Sequence, residues 1–265
     1  MLGGVLVPNP ANALRADKMT NQTIIEKLTQ WIHESEATVF FGGAGVSTES
    51  GVPDFRSDTG IYSQMGGAES YLTLEFMNAR PQEFYSFYRK YFMKAGIRPN
   101  PAHMKLAEME SAGMLSAIIT QNVDGLHQAA GSRRVYELHG SGTKFYCQRC
   151  ARVYSFAEVA SGSGAFYCRE KGCGGLVRPD IVMYGEPLNQ EVLAGAVDAI
   201  SGADLLIVGG SSMTVYPAAG FIDYRRPGSR LVLINLEATA CDGLADLVAR
   251  ESIGALFSLI HLRPH

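Results

Sequence analysis

Apolar residues first fall into a regular pattern just after the small polar pair Thr20-Asn21. Ile24, Ile25, Leu28, Trp31 and Ile32 follow at helical spacing, which predicts an amphipathic first helix. Four shorter runs behave differently: Thr38-Val39-Phe40-Phe41, Leu115 to Thr120, Asp204 to Val208 and Arg230 to Asn235 are apolar at consecutive positions, and each ends in a polar or glycine-containing turn. Strands apolar on both faces suit the middle of a parallel sheet covered by helices on either side. Helical patterns at Pro101 to Ala112 and Asn189 to Ser201 separate these runs, so the expected class is α/β, a doubly wound parallel sheet.

Two stretches break the alternation. Residues 60–98 are rich in aromatics, among them Tyr62, Tyr71, Phe76, Phe84, Tyr85, Phe87, Tyr88, Tyr91 and Phe92, and read as helices inserted between the first two strands. Residues 144–176 hold a cysteine cluster. The sheet domain is therefore expected over 20–59, 99–143 and 177–265, with a smaller inserted domain composed of the helical insertion and the cysteine module. Residues 1–19, with Gly3, Gly4, Pro8 and Pro10, read as a disordered extension, and Met19 as an alternative start.

A charged fraction of 18% and a formal charge of −3 give no basic excess for nucleic acid, so a protein substrate must be recognised locally. No apolar run approaches the roughly 20 residues that span a bilayer, and the opening residues lack the order of a signal peptide. The expectation is a soluble, cytoplasmic monomer. Cys241 stands apart from the other four cysteines and reads as a small hydrophobe.

Candidate chemistry sits at the strand ends. The first strand empties into Gly43-Ala44-Gly45-Val46-Ser47, where glycines would let backbone amides approach a pyrophosphate at a helix start; the turn could equally be structural. It does not complete the dehydrogenase fingerprint, which argues against plain hydride transfer. The continuation through Thr48, Asp54, Phe55 and Arg56 groups a hydroxyl, a carboxylate, an aromatic and a guanidinium, which either serve a ligand or brace the loop. After the second strand, Gln121, Asn122, Val123 and Asp124 offer amides and a carboxylate to a carboxamide or a ribose, with helix capping as the alternative. His139 precedes Gly140, which would leave that face open to a ligand; the histidine is either a base suited to neutral pH or a structural residue. Gly210, Ser211, Ser212, Asn235 and Leu236 follow later strands, as lining of the same crevice or as turn chemistry.

Cys147-x2-Cys150 and Cys168-x4-Cys173 form two knuckles. Four thiolates so arranged make a closed tetrahedral zinc site, with no position left for a catalytic water.

In combination and order, Gly-Ala-Gly-Val-Ser, Gly-Val-Pro-Asp-Phe-Arg, Thr-Gln-Asn-Val-Asp, His-Gly, the two cysteine pairs and Arg178-Pro179-Asp180-Ile181-Val182-Met183-Tyr184-Gly185-Glu186 make the chain resemble the sirtuins from about Thr20 onward, bacterial type with structural zinc. The resemblance implies a Rossmann-like domain and a small domain with NAD between them. It places NAD against Ala44, Gly45, Thr48, Asp54, Phe55, Arg56, Gln121, Val123, Gly210, Ser211, Ser212, Asn235 and Leu236. Asn122, Asp124 and His139 would be catalytic, and Val182, Tyr184 and Gly185 would pair with an acyl-lysine peptide as an added strand. The implied reaction is NAD-dependent lysine deacylation: the acyl oxygen attacks the nicotinamide ribose, nicotinamide leaves, and His139 takes a ribose hydroxyl proton, yielding O-acyl-ADP-ribose. Ser211 stands where the family has threonine. Tyr88 stands where members that prefer acidic acyl groups carry arginine, so an apolar acyl tunnel is expected. The rivals are a sirtuin-like ADP-ribosyltransferase, which would not need His139, and a silent NAD-binding zinc scaffold, which would not need Asn122, Asp124 and His139 together.

Overall fold

The computed structural model describes residues 20–54, 60, 68–94, 96–214 and 218–262. The expected extension 1–19 and the candidates Phe55 and Arg56 lie outside them. The strands are β1 (Thr38–Gly42), β2 (Ala117–Thr120), β3 (Val135–Glu137), β4 (Gly140–Cys147), β5 (Val153–Ser155), β6 (Val177–Ile181), β7 (Leu205–Gly209), β8 (Arg230–Ile234) and β9 (Leu247–Ala249). The helices are α1 (Asn21–Glu34), α2 (Leu74–Ala79), α3 (Pro81–Phe92), α4 (Pro101–Ser111), α5 (Leu126–Ala129), α6 (Phe156–Ala160), α7 (Gln190–Gly202) and α8 (Ile253–Ser258).

The consecutive apolar runs form a six-stranded parallel sheet in the order β3-β2-β1-β7-β8-β9. Side chains alternate between its faces. Phe40, Ile118, Ile207 and Val232 meet Ile24, Leu28 and Trp31 of α1, Leu106 of α4 and Phe257 of α8, while Val39, Phe41, Ile119, Leu206 and Leu231 meet Ala196 and Ile200 of α7. Both faces are thus dry, which is why β1, β2 and β7 tolerate no polar alternation. Thr20 caps α1, its hydroxyl accepting from the Thr23 amide.

A second sheet has three antiparallel strands, β5-β4-β6. Residues 177–181, the start of the stretch expected in the sheet domain, are its third strand: they pair with β4, from Cys147↔Val177 to Gly140↔Ile181. Both insertions share one core, in which Met77, Phe84, Tyr85 and Tyr88 pack with Phe145, Tyr154, Phe166 and Val177, and the buried Tyr85 hydroxyl donates to the Val177 carbonyl at 2.7 Å.

Candidate functional site

Two glycine loops interlock at the C-terminal ends of β1 and β7. The Gly43 amide donates to the Gly209 carbonyl at 3.0 Å and the Gly45 amide to the Gly210 carbonyl at 2.8 Å. A Cβ on Gly45 would lie 2.7 Å from Gly210 Cα, and Gly210, at φ 59°, could carry none, because its Cβ would sit 2.5 Å from the Val46 nitrogen. These glycines therefore serve backbone-to-backbone packing, and the amides of Gly43 and Gly45 are committed inside the protein. The expected helix start is instead two short 3-10 turns, Ala44–Val46 and Thr48–Ser50, closed by Gly51 at φ 82°, so this loop presents no long helix dipole to the crevice among the described residues.

Behind the loop lies a buried polar network. Asn122 donates through Nδ2 to the Gly43 carbonyl and to Ser47 Oγ, each at 3.0 Å, and Ser47 donates to Asp124 Oδ2 at 2.7 Å. With both amide protons committed, Asn122 offers its carbonyl oxygen to a ligand. Asp124 Oδ1 also accepts from the Leu126 amide at 2.9 Å, at the first residue of α5, whose N-cap position is Gly125. His103 completes the network from α4, with Nε2 3.4 Å from Ser47 Oγ and Nδ1 accepting from the Asn100 amide at 3.3 Å. Burial holds His103 below the usual histidine range, and burial, then its neighbour His103, push His127 down to about 3. Ser47 was read only as part of the first glycine turn, and His103 was not among the site candidates. The helical pattern from Pro101 was visible, but nothing in it reveals that its third residue, His103, points at the Ser47 hydroxyl.

His139 Nδ1 lies 2.9 Å from the Gln121 carbonyl. A carbonyl only accepts, so Nδ1 carries the proton and Nε2 is the basic nitrogen. Gly140 is not there to open a face: at φ 74° its Cβ would fall 2.2 Å from the Asp180 carbonyl. Gln121 Nε2 in turn donates to Ser211 Oγ at 3.0 Å, tying the loop after β2 to that after β7.

Beyond His139 runs the 182–185 segment. Val182 donates its amide to the His139 carbonyl at 2.8 Å, Tyr184 donates to Leu72 at 2.9 Å, and Thr73 and Tyr184 form a parallel bridge. Arg178 clamps this segment from beneath. Its Nη1 and Nη2 each reach a Glu186 carboxylate oxygen at 2.7 Å, Nη2 also donates to the Ile181 carbonyl, and Glu186 accepts the Met183 amide at 2.9 Å.

One cavity of about 620 Å³ collects Ala44, Gly45, Thr48, Asp54, Gln121, Asn122, Val123, His139, Val182, Tyr184, Gly185, Gly210, Ser211, Ser212, Asn235 and Leu236. Asp124 lies outside it and lines a second cavity that meets the first at Ala44, Phe92, Asn122 and Val123.

The four cysteines Cys147, Cys150, Cys168 and Cys173 bring their sulfurs within 4.8 Å of one another, with Cys147–Cys173 and Cys150–Cys168 at 3.6 Å. Sulfurs about 2.3 Å from a common tetrahedral centre fall at such separations, so the set fits zinc. The Tyr154 hydroxyl donates to Cys168 Sγ at 3.1 Å, an outer contact of the kind that orients a ligand.

Among known proteins, the chain is 47% identical to an NAD-dependent protein deacetylase of Clostridium perfringens over 240 residues, covering 89% of this chain and 98% of that one. It is 48% identical to an NAD-dependent protein deacetylase of Cutibacterium acnes over 239 residues, covering 89% and 96% respectively. A solved structure of a Sir2 with a p53 peptide and NAD+ superposes with TM-score 0.78 at 39% identity, covering 88% of this chain and 95% of that one. The Sir2 family model matches residues 43–217. With the parallel sheet, the interlocked glycine loops and the cysteine knuckles in that order, the chain belongs to the Sir2 family.

Proposed function

We propose that the protein is an NAD-dependent protein-lysine deacylase that converts an acyl-lysine peptide and NAD to free lysine, nicotinamide and O-acyl-ADP-ribose. The observation that carries this is the single cavity joining the glycine loops, the Gln121–Asn122 amides, His139 and the 182–185 segment. Two substrates that must react with each other require one continuous space, and holding them there supplies much of the rate.

In this reading Ala44, Gly45, Thr48 and Asp54 border the phosphates and ribose, with Phe55 and Arg56 assigned from sequence alone. Gly210, Ser211, Ser212, Asn235 and Leu236 line the adenosine half, and Gln121, Val123, Asn122 and Asp124 hold the nicotinamide ribose and carboxamide. His139 receives a ribose hydroxyl proton at Nε2, the nitrogen left basic by the bond from Nδ1 to Gln121. Val182, Tyr184 and Gly185 receive the peptide as an added strand, held in place by the Arg178–Glu186 clamp. Cys147, Cys150, Cys168 and Cys173 would hold zinc that folds the small module and takes no part in the chemistry. No helix among the described residues is long and apolar enough to cross a membrane.

The test is stoichiometry: with an acetyl-lysine peptide, nicotinamide, deacetylated peptide and O-acetyl-ADP-ribose should form one to one to one. Deacetylation without NAD, or label from NAD appearing on protein in place of the small-molecule product, would refute the assignment.

A further inference from the structure

The two ends of the small sheet carry different chemistry. Strand β4 starts at Gly140, directly after His139, and ends at Cys147, while β6 starts at Val177, shortly after Cys173, and ends at Ile181, directly before Val182. The four sulfurs therefore sit at one end of two paired strands whose other end presents His139 and the 182–185 segment. Whatever fixes the sulfurs fixes that end of the scaffold.

Tyr154 reaches them from β5. Its ring is 2% exposed, pairs across the sheet with Phe145 and meets Phe166 edge-on at 5.2 Å, within the core that both insertions share. Its oxygen touches the second knuckle twice, accepting the Arg169 amide at 2.8 Å and lying 3.1 Å from Cys168 Sγ. An amide only donates, so the single phenol proton is left for the sulfur. Among the described residues, Tyr154 is the one side chain whose O–H or N–H reaches a cysteine sulfur. Cys147 Sγ receives a main-chain amide instead, from Arg149 at 3.3 Å. A sulfur that ligates zinc is a thiolate, and a hydrogen bond to an ionised acceptor is about twice as strong as a neutral one. Phenylalanine at 154 would fill the same space and lose both contacts.

We propose that Tyr154 is a positioning residue for the zinc: its hydroxyl fixes the Cys168 thiolate and ties it to the Arg169 main chain, so that Cys168 is the last of the four ligands to let go. This rests on the zinc reading of the cysteines and is independent of the acyl chemistry. It goes beyond that reading by assigning metal retention to a residue outside the four ligands.

The experiment measures zinc affinity by competition with a chromophoric chelator for the wild type, Tyr154→Phe and Tyr85→Phe. The last removes a hydroxyl from the same core, but one that donates to the Val177 carbonyl and to no sulfur. The zinc dissociation constant should rise about tenfold or more in Tyr154→Phe, the range for outer partners of metal ligands, and less than about threefold in Tyr85→Phe. Equal weakening in the two variants, or a Tyr154→Phe value within about twofold of wild type, overturns the proposal. Should Tyr154→Phe fail to fold, the wild type decides, by mass-spectrometric mapping of cysteine alkylation as a chelator withdraws the zinc. Cys147 is 1% exposed and Cys168 6%, so burial alone would let Cys168 react at least as fast. The proposal requires the reverse order, and Cys168 modified before or together with Cys147 overturns it. If the wild type neither carries nor binds zinc, the zinc reading fails and takes the proposal with it; if it binds zinc and Tyr154→Phe binds it equally well, this proposal alone fails.

Discussion

Replacing Glu186 by glutamine should loosen the 182–185 segment, proposed to receive the peptide, while leaving the glycine-loop end of the cavity in place. Arg178 is 5% exposed and Glu186 23%, and their two 2.7 Å contacts form a bidentate, charge-assisted pair. Breaking a fully buried pair costs about 3–5 kcal/mol, because the surviving charge is stranded. Here the carboxylate is partly solvated and glutamine keeps one acceptor, so about 2–3 kcal/mol is expected, or roughly 5–10 °C in Tm for a chain of this size. The same carboxylate accepts the Met183 amide, so its loss frees the turn that precedes Tyr184 and Gly185. KM for the acyl peptide should rise about fivefold or more, as expected when roughly 1 kcal/mol of the loss reaches the bound state. The affinity for NAD alone should change less than twofold, because the clamp's hydrogen bonds among the described residues run to Pro179, Ile181 and Met183. The hydrogen bonds from Arg178 hold the Glu186 carboxyl below the usual carboxylate range. Its contribution is therefore complete above the unfolded value near about 4.3 and is lost as pH falls through the lower folded value, so the variant should show a flatter acid limb. Thermal scans and peptide titrations at fixed NAD suffice. A Tm within 1 °C of wild type together with an unchanged peptide KM would show that the clamp does not hold the segment.

His139→Ala and Asn122→Ala should each abolish nicotinamide release coupled to deacylation, read by product chromatography; unchanged turnover in either would refute its assigned role. The purified protein should carry about one zinc per chain by elemental analysis, and Cys168→Ser or a strong chelator should remove it and unfold the small module; a metal-free, equally stable protein would refute the zinc reading. Stability should also fall on mild acidification. His127, pushed down to about 3 mainly by burial, stays neutral in the folded state but takes up a proton in the unfolded chain below about pH 6.5. Stability is then complete above that pH and is lost towards the folded value, by up to about 1.4 kcal/mol per pH unit. His103 acts in the same direction. Urea midpoints should drop between pH 7.5 and 5, less so in His127→Leu, and identical slopes for the two proteins would count against this account.

What the sequence made legible were features that depend on neighbours along the chain. Apolar runs named β1, β2, β7 and β8 within a residue or two, because both faces of each are buried and every position reports it. The cysteine knuckles were legible for the same reason, since ligand chemistry demands close spacing. Contacts between distant loops were not. Nothing near Gly45 announces that its amide will bond to Gly210, and nothing around Gly140 reveals the Asp180 carbonyl that forbids a side chain there. Both glycines were noticed, Gly45 with a structural turn left open beside a ligand role and Gly140 as opening a face to a ligand, and the structure adds for each a close backbone approach that belongs to the fold. Strand β6 was not read from the sequence at all, because Val177-Arg178-Pro179-Asp180-Ile181 shows no apolar alternation, and its pairing with β4 is a contact between distant segments.

The strand order explains why residues as far apart in sequence as Ala44 and Leu236 come to one cavity. The chain builds β2 and β3 on one side of β1, then β7, β8 and β9 on the other, so the loops after β1, β2, β7 and β8 splay apart at the point where the winding reverses. A crevice there follows from topology alone. What topology does not set is its depth, and the interlocked glycines do: with Gly45 against Gly210 the floor is backbone, and the candidate side chains Asn122, Gln121 and Ser211 are held above it by bonds to one another or to that backbone. The same contact that stabilises the sheet edge thereby positions the amides. A substitution at Gly45 or Gly210 should accordingly lower stability and activity together, whereas one at Asn122 should remove activity and leave most of the stability.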